Sequence, residues 1–328
     1  MRGVVAEEGD GVSVSGACRR AGMSRQNFYA MRRVRERREV AEEKILALVR
    51  RERSAQPRLG TRKLRWMTRG EVGLLGVKLG RDGWFALLRR EGLLVARKPR
   101  TRKTTQSRHS LPVYPNLVKD LKTTRAHEVW VSDITYLRTV DGFEFGAVVL
   151  DVGSRKIVGW HVGGSLESAG PQEAVKGALK QLPRGRRPIH HSDRGSQYCC
   201  HAYVRLLEQR GLRISMTEVL HCYENAMAER VIGILKGEYE LDAVFADGSQ
   251  ARAAFAEAVA LYNDRRPHLS LQYETPSAVH ARGASGVPLR SALGPAGHPP
   301  EGGAGCAARH PGRRPLPLAT TASAALER

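Results

Sequence analysis

The sequence lacks the features of a disulfide-stabilised, zinc-binding or membrane-spanning protein. It has five cysteines in 328 residues, an odd number with no Cys-x-x-Cys pair, which argues against a disulfide framework and against a zinc site. No apolar run approaches the roughly 18 residues of a membrane helix, and the N-terminal "MRGVVAEEGDG" lacks the apolar segment of a secretory signal. The expected compartment is therefore a reducing cytoplasm.

Acidic residues are scarce in the first part of the chain. Residues 1–126 contain 31 Lys/Arg against 12 Asp/Glu, whereas residues 127–282 contain 18 against 19, and the formal net charge of the whole chain is +21. Such a basic segment favours a polyanionic partner, most simply nucleic acid. A basic membrane-surface protein is the alternative, but no amphipathic anchor is evident.

Composition and periodicity divide the chain into five parts. We predict a helix-turn-helix with a charged helix over 1–56, a second helical DNA-binding unit over 57–96, and a basic linker over 97–126. A mixed α/β domain follows over 127–282. The segment 283–328 has 8 Gly and 7 Pro among its residues, a composition typical of disorder.

The segment "SGACRRAGMSRQNFYAMR" has the pattern of a helix-turn-helix. A short helix is followed by a turn at Gly22 and a second helix capped by Ser24. The start of that second helix, which meets base edges in this motif, holds Arg25, Gln26 and Asn27. The predicted small core consists of Ala17, Cys18, Phe28 and Tyr29. An ordinary helical hairpin has the same pattern.

The linker "ARKPRTRKTTQSRH" has six Lys/Arg between 97 and 108 and no apolar periodicity. A flexible basic segment is suited to the phosphate backbone of DNA. The residues that we expect to bind it are Arg97, Lys98, Arg100, Arg102 and Lys103. A solvated linker without a partner is the alternative.

The pattern of residue types changes at residue 127. The segments "EVWVSDITYLRTV", "FEFGAVVLDV" and "KIVGWHVGG" predict an antiparallel meander of three strands. Helices are predicted over 168–181, 197–210, 223–240 and 250–262, and further strands over 187–191 and 212–216. No periodicity is evident after Pro276. This order predicts a mixed α/β sheet covered by helices.

Three acids stand where such a sheet would bring them together. Asp133 lies in the first strand, Asp193 at the end of the fourth, and Glu229 in a helix, with 35 residues between the last two. Three carboxylates can share two divalent ions that stabilise the attacking and leaving oxygens of a phosphodiester. Taken singly, each acid has an ordinary explanation as a strand-edge, turn or surface residue. Together they indicate metal-dependent phosphodiester chemistry.

The motifs "VWVSDITYL", "IHHSDRGSQY" and "YENAMAERVIGILKGE" closely resemble the catalytic core of DDE transposases. The similarity is to the downstream-frame protein of the insertion-sequence-three family, related to retroviral integrases, and covers about residues 12–280. It implies a ribonuclease-H-like core, two Mg²⁺ or Mn²⁺ ions, and DNA cleavage and strand transfer. On this resemblance Asp133, Asp193 and Glu229 match the metal-binding triad.

The same resemblance implies the partners. These are double-stranded DNA, as element ends and as target, further copies of the chain in a multimer on DNA, and an upstream-frame protein of the same element. No membrane is involved, and the chain is expected in a bacterial cytoplasm, at the nucleoid when bound to DNA.

Further DNA contacts are expected in the core. Asn225, one turn before Glu229, and Lys236, two turns after it, share a helix face, so Lys236 can meet a phosphate near the metals. A solvated surface lysine is the alternative. In "NDRRPH", Arg265 and Arg266 contact DNA or cap the preceding helix, and we favour DNA.

Three other residues are interpreted as structural. Asp151 ends a strand before a turn. His190 and His191 precede Asp193, but no partner ligands stand at the spacing of a soft-metal site.

Two other functions fit parts of the sequence. A degenerate element copy would bind DNA as a repressor without catalysis, but all three acids are intact. A ribonuclease-H-type nuclease would act on RNA–DNA hybrids, but the basic front end with its helix-turn-helix favours duplex DNA.

Overall fold

The computed structural model describes residues 13–96, 111–119, 121–218 and 225–285. Within these ranges no helix is both long enough and apolar enough to cross a membrane. The predicted DNA contacts of the linker fall outside the described residues, and so does the segment after 285. Those linker residues are Arg97, Lys98, Arg100, Arg102 and Lys103.

The described N-terminal region is helical, with α1 (Val14–Arg20), α2 (Arg25–Ala55), α3 (Thr61–Met67), α4 (Arg69–Leu74) and α5 (Arg81–Arg90). The turn between α1 and α2 is as predicted, because Gly22 has a positive φ of 62° and Ser24 accepts a hydrogen bond from the Asn27 amide. Cys18 is buried, but Tyr29 is 41% exposed, so its place in the predicted small core is wrong.

One expectation about α2 is corrected. The charged helix that we predicted within residues 1–56 is not separate from the second helix of the helix-turn-helix, because α2 is a single 31-residue helix. Ion pairs between Arg and Glu four residues apart, Arg35–Glu39 and Arg38–Glu42, span the middle of α2 and support a continuous helix.

The second half of α2 and helices α3–α5 share one apolar core. Ile45 and Val49 of α2 pack with Leu64 of α3 and with Trp84 and Leu88 of α5. Trp84, Leu87 and Leu88 are all buried. A single core therefore spans the expected boundary at residue 56.

The sheet has six strands, β1 (Val129–Thr139), β2 (Gly142–Asp151), β3 (Ile157–Gly163), β4 (Ile189–Ser192), β5 (Arg213–Met216) and β6 (Val244–Phe245). Its order is β3-β2-β1-β4-β5, with β6 paired to the end of β1. The first three strands are antiparallel, and β4 and β5 run parallel to β1. This confirms the predicted ribonuclease-H-like arrangement of three antiparallel strands followed by alternating helices and strands.

Helices cover both faces of the sheet. On one face α6 (Ala169–Lys180), α7 (Ser196–Cys199) and α8 (His201–Gln209) pack around the side chain of Trp130. On the other face α9 (Ala226–Glu238) and α10 (Gly248–Ala260) pack against Val129 and Val131. The alternation along β1 follows from the two-residue period of a strand.

Helix α10 continues as a π-helical turn (Leu261–Arg265), then a 3₁₀ turn (Leu269–Leu271) and α11 (Pro276–Ala284). The sequence analysis did not predict α11. A local signal was present, because Thr275 caps the helix by accepting from the Ala278 amide and Pro276 occupies its first turn, both frequent features of helix starts. The two-residue strand β6 was also not predicted.

The edge strand β3 is bonded by side chains from neighbouring elements. The Asn263 amide both accepts from the Ile157 N–H and donates to the Ile157 carbonyl. Gln181 donates to the Val158 carbonyl, and Arg252 donates to the Val162 carbonyl. Side chains therefore satisfy main-chain groups along this edge.

Candidate active site

The middle of β1 lies at a gap in the sheet. Strand β4 pairs with β1 only along residues 129–131, and β6 pairs with it only at residues 138–139. Asp133 lies between these two short pairings. Its side chain is 6% exposed, and Oδ1 accepts a hydrogen bond from the Ile134 amide at 2.9 Å. A carboxylate is thus buried at the one part of this β1 edge that no described strand covers.

Asp193 follows the last residue of β4. The last register pair between β1 and β4 is Val131 with His191, so Asp133 and Asp193 each stand two residues beyond the end of this pairing. Asp193 Oδ1 accepts from the Gly195 amide at 3.0 Å. A Cβ at Gly195 would lie 3.1 Å from that oxygen, so glycine leaves room for the carboxylate.

Tyr198 of α7 is close to both aspartates. Burial raises the pKa of Tyr198, and the charges of Tyr203, Asp133 and Asp193 raise it further. Its hydroxyl is buried and has no hydrogen-bond partner within the described ranges. A buried hydroxyl without a protein partner at that position fits a cavity that binds a further polar ligand.

Glu229 lies in the first turn of α9 and is half-buried. Asn225, four residues earlier, donates from Nδ2 to the Ser132 carbonyl at 3.1 Å. Helix α9 therefore begins against the residue that precedes Asp133. Among the described residues, however, no group of three or more His, Cys, Asp or Glu side chains is arranged to hold a metal ion. The structure places Asp133 and Asp193 within electrostatic reach of Tyr198 and Glu229 in the first turn of α9.

Lys236 faces the same region. Burial lowers the pKa of Lys236, whereas the charges of Asp242 and Asp133 raise it and that of Arg138 lowers it. Its ammonium group therefore lies in electrostatic reach of Asp133, as the shared helix face predicted.

Two predicted DNA contacts are corrected. Asn225 is 2% exposed and bonds β1. Arg266 is 4% exposed and donates to both oxygens of Glu238, at 2.8 and 2.9 Å. Arg265 is more accessible, but one guanidinium nitrogen donates to Glu52 of α2 at 2.9 Å. Both arginines thus serve intramolecular contacts, which the local sequence did not indicate.

The predicted contact residues of the helix-turn-helix lie at the surface. Arg25, Gln26 and Asn27 are exposed at the start of α2, in the position expected of the base-reading residues.

The structural interpretation of the histidines and Asp151 is confirmed. His190 Nε2 lies 2.8 Å from Ser132 Oγ and 2.9 Å from the Tyr203 hydroxyl, and burial lowers the pKa of His190 to about 3. His191 Nδ1 lies 2.9 Å from Ser215 Oγ. Asp151 is fully buried and accepts from the amides of His127 and Ser154.

Glu238 is a residue that the sequence analysis missed. It lies at the end of α9 and accepts from Lys63 of α3 at 2.7 Å, as well as from Arg266. Burial raises the pKa of Glu238, but the hydrogen bonds and charges of Arg266 and Lys63 outweigh it and lower the pKa to about 2. No local signal could have paired Lys63 with a residue 175 positions away.

Further contacts join the helical region to the core. The Tyr239 hydroxyl donates to Gln56 at 3.1 Å, and the rings of Trp66 and Tyr273 stack with centroids 4.7 Å apart. The helices α2 and α3 therefore pack onto the end of α9 and the segment after α10.

Comparison with known proteins gives a consistent assignment. Two models described as integrase core domain match residues 123–222 and 210–276. The chain is 36% identical over 225 residues to the insertion element IS600 uncharacterized 31 kDa protein of Shigella sonnei, covering 67% of this chain and 80% of that protein. It is 37% identical over 154 residues to transposase InsF for insertion sequence IS3A of Escherichia coli K12, covering 47% and 54%. The chain thus spans about half the length of this second relative.

Two solved structures are also similar to parts of the chain. The catalytic core domain of BIV integrase is 16% identical, with a TM-score of 0.39, covering 49% of this chain and 97% of that one. A chain of the simian T-cell lymphotropic virus intasome in complex with PP2A regulatory subunit B56 gamma is 16% identical, with a TM-score of 0.42, covering 73% of this chain and 77% of that one.

Proposed function

The chain belongs to the insertion-element transposase family with an integrase core domain, and we propose that it cleaves and joins DNA at the ends of an insertion element. The observation that carries this proposal is the position of Asp133 at the gap in β1 and of Asp193 directly after β4, each two residues beyond the last β1–β4 pair. Glu229 lies in the first turn of α9, and Asn225 just before that helix bonds to Ser132 of β1.

The donor set fits hard divalent cations. Carboxylate oxygens are the ligands that Mg²⁺ and Mn²⁺ prefer, and the unpartnered Tyr198 hydroxyl beside both aspartates suits an ion with bound water. Asp133 and Asp193 would hold the ions, and Glu229 would complete the set from α9. When bound, two such ions stabilise the charge on the attacking and leaving oxygens of a phosphodiester.

The chain's own residues supply orientation. The Gly195 amide holds one oxygen of Asp193, and the Ile134 amide holds one oxygen of Asp133. Each aspartate therefore has a fixed carboxylate plane before a substrate arrives. Lys236, on the same side as Asp133, would bind a phosphate of the DNA next to the acids.

The N-terminal helices would hold the DNA. Arg25, Gln26 and Asn27 at the start of α2 would read base edges of the element end, while the excess of basic residues over 1–126 binds the backbone of either end or target. We expect further copies of the chain to join two element ends, with an upstream-frame protein as a second partner.

The test is a metal-dependent cleavage and joining assay on duplex oligonucleotides that carry the element end. Wild-type protein with Mg²⁺ or Mn²⁺ should cleave and join, and Asp133→Asn should not, because the amide is a poor substitute for a metal-binding carboxylate. Glu173→Gln is the matched control, since it neutralises an exposed acid of α6 outside the site.

Three results would contradict the proposal. An Asp133→Asn protein as active as wild type would remove the catalytic assignment. Binding of element ends without any metal-dependent cleavage would favour a repressor, and preferential cleavage of an RNA–DNA hybrid would favour a ribonuclease-H-type nuclease.

A further inference from the structure

Three structural elements that carry the acids meet at one residue, Ser132. It precedes Asp133 in β1 and is 2% exposed. Its hydroxyl and its main-chain carbonyl both bond, and they bond to different elements. The hydroxyl bonds to His190 of β4, and the main-chain carbonyl bonds to Asn225, which precedes α9.

The hydroxyl contact ties β1 to β4. Ser132 Oγ lies 2.8 Å from His190 Nε2, and the same nitrogen lies 2.9 Å from the Tyr203 hydroxyl. His190 is fully buried and stands three residues before Asp193. The bond crosses between neighbouring strands just before both reach their aspartates, so it limits sliding of one strand against the other.

The carbonyl contact ties β1 to α9. A carbonyl at the gap between β4 and β6 has no strand partner there, and Asn225 Nδ2 supplies the missing donor. Asn225 immediately precedes α9. One helical turn separates it from Glu229, a rise of about 6 Å, so this single bond sets how far Glu229 reaches toward the aspartates.

We infer that Asn225, Ser132 and His190 form a positioning hub, which holds the three acids in register for divalent-cation binding. This inference rests on the proposed function. In this inference none of the three hub residues contacts DNA or an ion. They act only by positioning Asp133, Asp193 and Glu229. Loss of a hydrogen bond that orients a metal ligand typically weakens metal affinity by about 10- to 100-fold.

The test uses Asn225→Leu, which keeps the side-chain size and removes the donor. The matched control is Asn263→Leu, because Asn263 is also buried and also donates to a strand carbonyl, that of Ile157 at 3.0 Å, but on β3, away from the acids. Asn225→Leu loses the bond to the Ser132 carbonyl, and Asn263→Leu loses both bonds to Ile157, so both variants should unfold at a lower temperature. Only the hub variant should lose metal affinity.

The first measurement is Mn²⁺ binding to the full-length protein without DNA, followed by the electron paramagnetic resonance signal of free Mn²⁺. We expect the dissociation constant to rise about tenfold or more in Asn225→Leu and to stay at the wild-type value in Asn263→Leu. The second measurement is cleavage at saturating DNA, where Asn225→Leu should lower the rate and leave the affinity for DNA unchanged.

Ser132→Ala keeps the inference testable if Asn225→Leu does not fold. It removes only the contact with His190. It should weaken Mn²⁺ binding more than Asn263→Leu does. Equal Mn²⁺ affinity in the hub variants and the control would overturn the hub alone, whereas a wild-type protein that neither binds Mn²⁺ nor cleaves DNA would overturn the proposed function together with it.

Discussion

Lys63 of α3 donates a hydrogen bond to Glu238 at the end of α9 at 2.7 Å. The N-terminal helices are thereby joined by an ion pair to the helix that carries Glu229. Arg266 completes the cluster from the other side of the same carboxylate. Two cations, Lys63 and Arg266, therefore share the single carboxylate of Glu238, and the cluster has a net charge of one positive.

Replacement of Glu238 by Gln should strongly destabilise the protein. Lys63 and Arg266 would then remain buried without a counter-charge, and removal of one partner from a buried ion pair typically costs about 3–5 kcal/mol. The measurement is the free energy of unfolding in urea. Glu173→Gln, which breaks an exposed pair with Lys176, should change it by less than about 1 kcal/mol, and equal losses in the two variants would contradict this account.

Acid should remove the contribution of Glu238 to stability. Because the folded-state pKa of Glu238 is lowered to about 2 from an ordinary 4.5, the contribution is present above pH 4.5 and disappears as the pH falls toward 2. Urea titrations at a series of pH values should show a shallower acid limb in Glu238→Gln than in wild type. If wild type and Glu238→Gln lose stability in parallel as the pH falls, carboxyl groups other than Glu238 dominate the acid dependence of stability.

Lys63 should make stability rise with pH in the alkaline range. Burial is the main cause that lowers the pKa of Lys63 to about 8, with Arg266 adding to it and Glu238 opposing it. The unfolded chain binds the extra proton between pH 8 and the ordinary 10.5, so stability should rise with pH across that window. Lys63→Met should abolish this rise in stability. The measurement is the difference in the free energy of unfolding between pH 8 and pH 10, in wild type and in the variant.

Gly195→Ala should lower catalytic activity more than stability. The backbone at Gly195 is extended and tolerates alanine, but the added Cβ would stand 3.1 Å from Asp193 Oδ1 and 2.9 Å from the Gln197 side-chain oxygen. Displacement of the carboxylate should slow metal-dependent cleavage about tenfold.

Gly233→Ala is the control for this prediction, because a Cβ there, on the exposed side of α9, meets nothing within 4 Å. It should leave the cleavage rate unchanged and stabilise the helix by roughly 0.5–1 kcal/mol. If both alanine variants cleave at the wild-type rate, the Cβ at Gly195 does not disturb Asp193.

Local patterns predicted the sheet well. Alternating residues predicted β1 to β3, and Asp133 lies within β1 and Asp193 directly after β4, as the sequence indicated; their role in metal binding stays a prediction. The same patterns failed for Asn225 and Arg266, which were expected at DNA. Their partners, Ser132 and Glu238, are 93 and 28 residues away, and polar side chains give no local sign of which distant group they will bond.

The same distinction applies to the boundaries of the elements. The packing of α3 on α9 depends on Lys63 and Glu238, which are 175 residues apart, so no local pattern indicated it. The continuity of α2 could have been predicted, because its Arg–Glu ion pairs lie only four residues apart. Likewise α11 could have been predicted from Thr275 and Pro276, since a cap and a first-turn proline act locally.

The bonded edge of β3 limits how copies of this protein can assemble. An open edge strand is a template on which another chain can add a strand, and native proteins block such edges against aggregation. Here Asn263, Gln181 and Arg252 already bond main-chain groups of β3. A second copy could extend the sheet at β3 only by displacing these side chains, so copies brought close together on one DNA molecule are guarded against joining sheet to sheet at this edge.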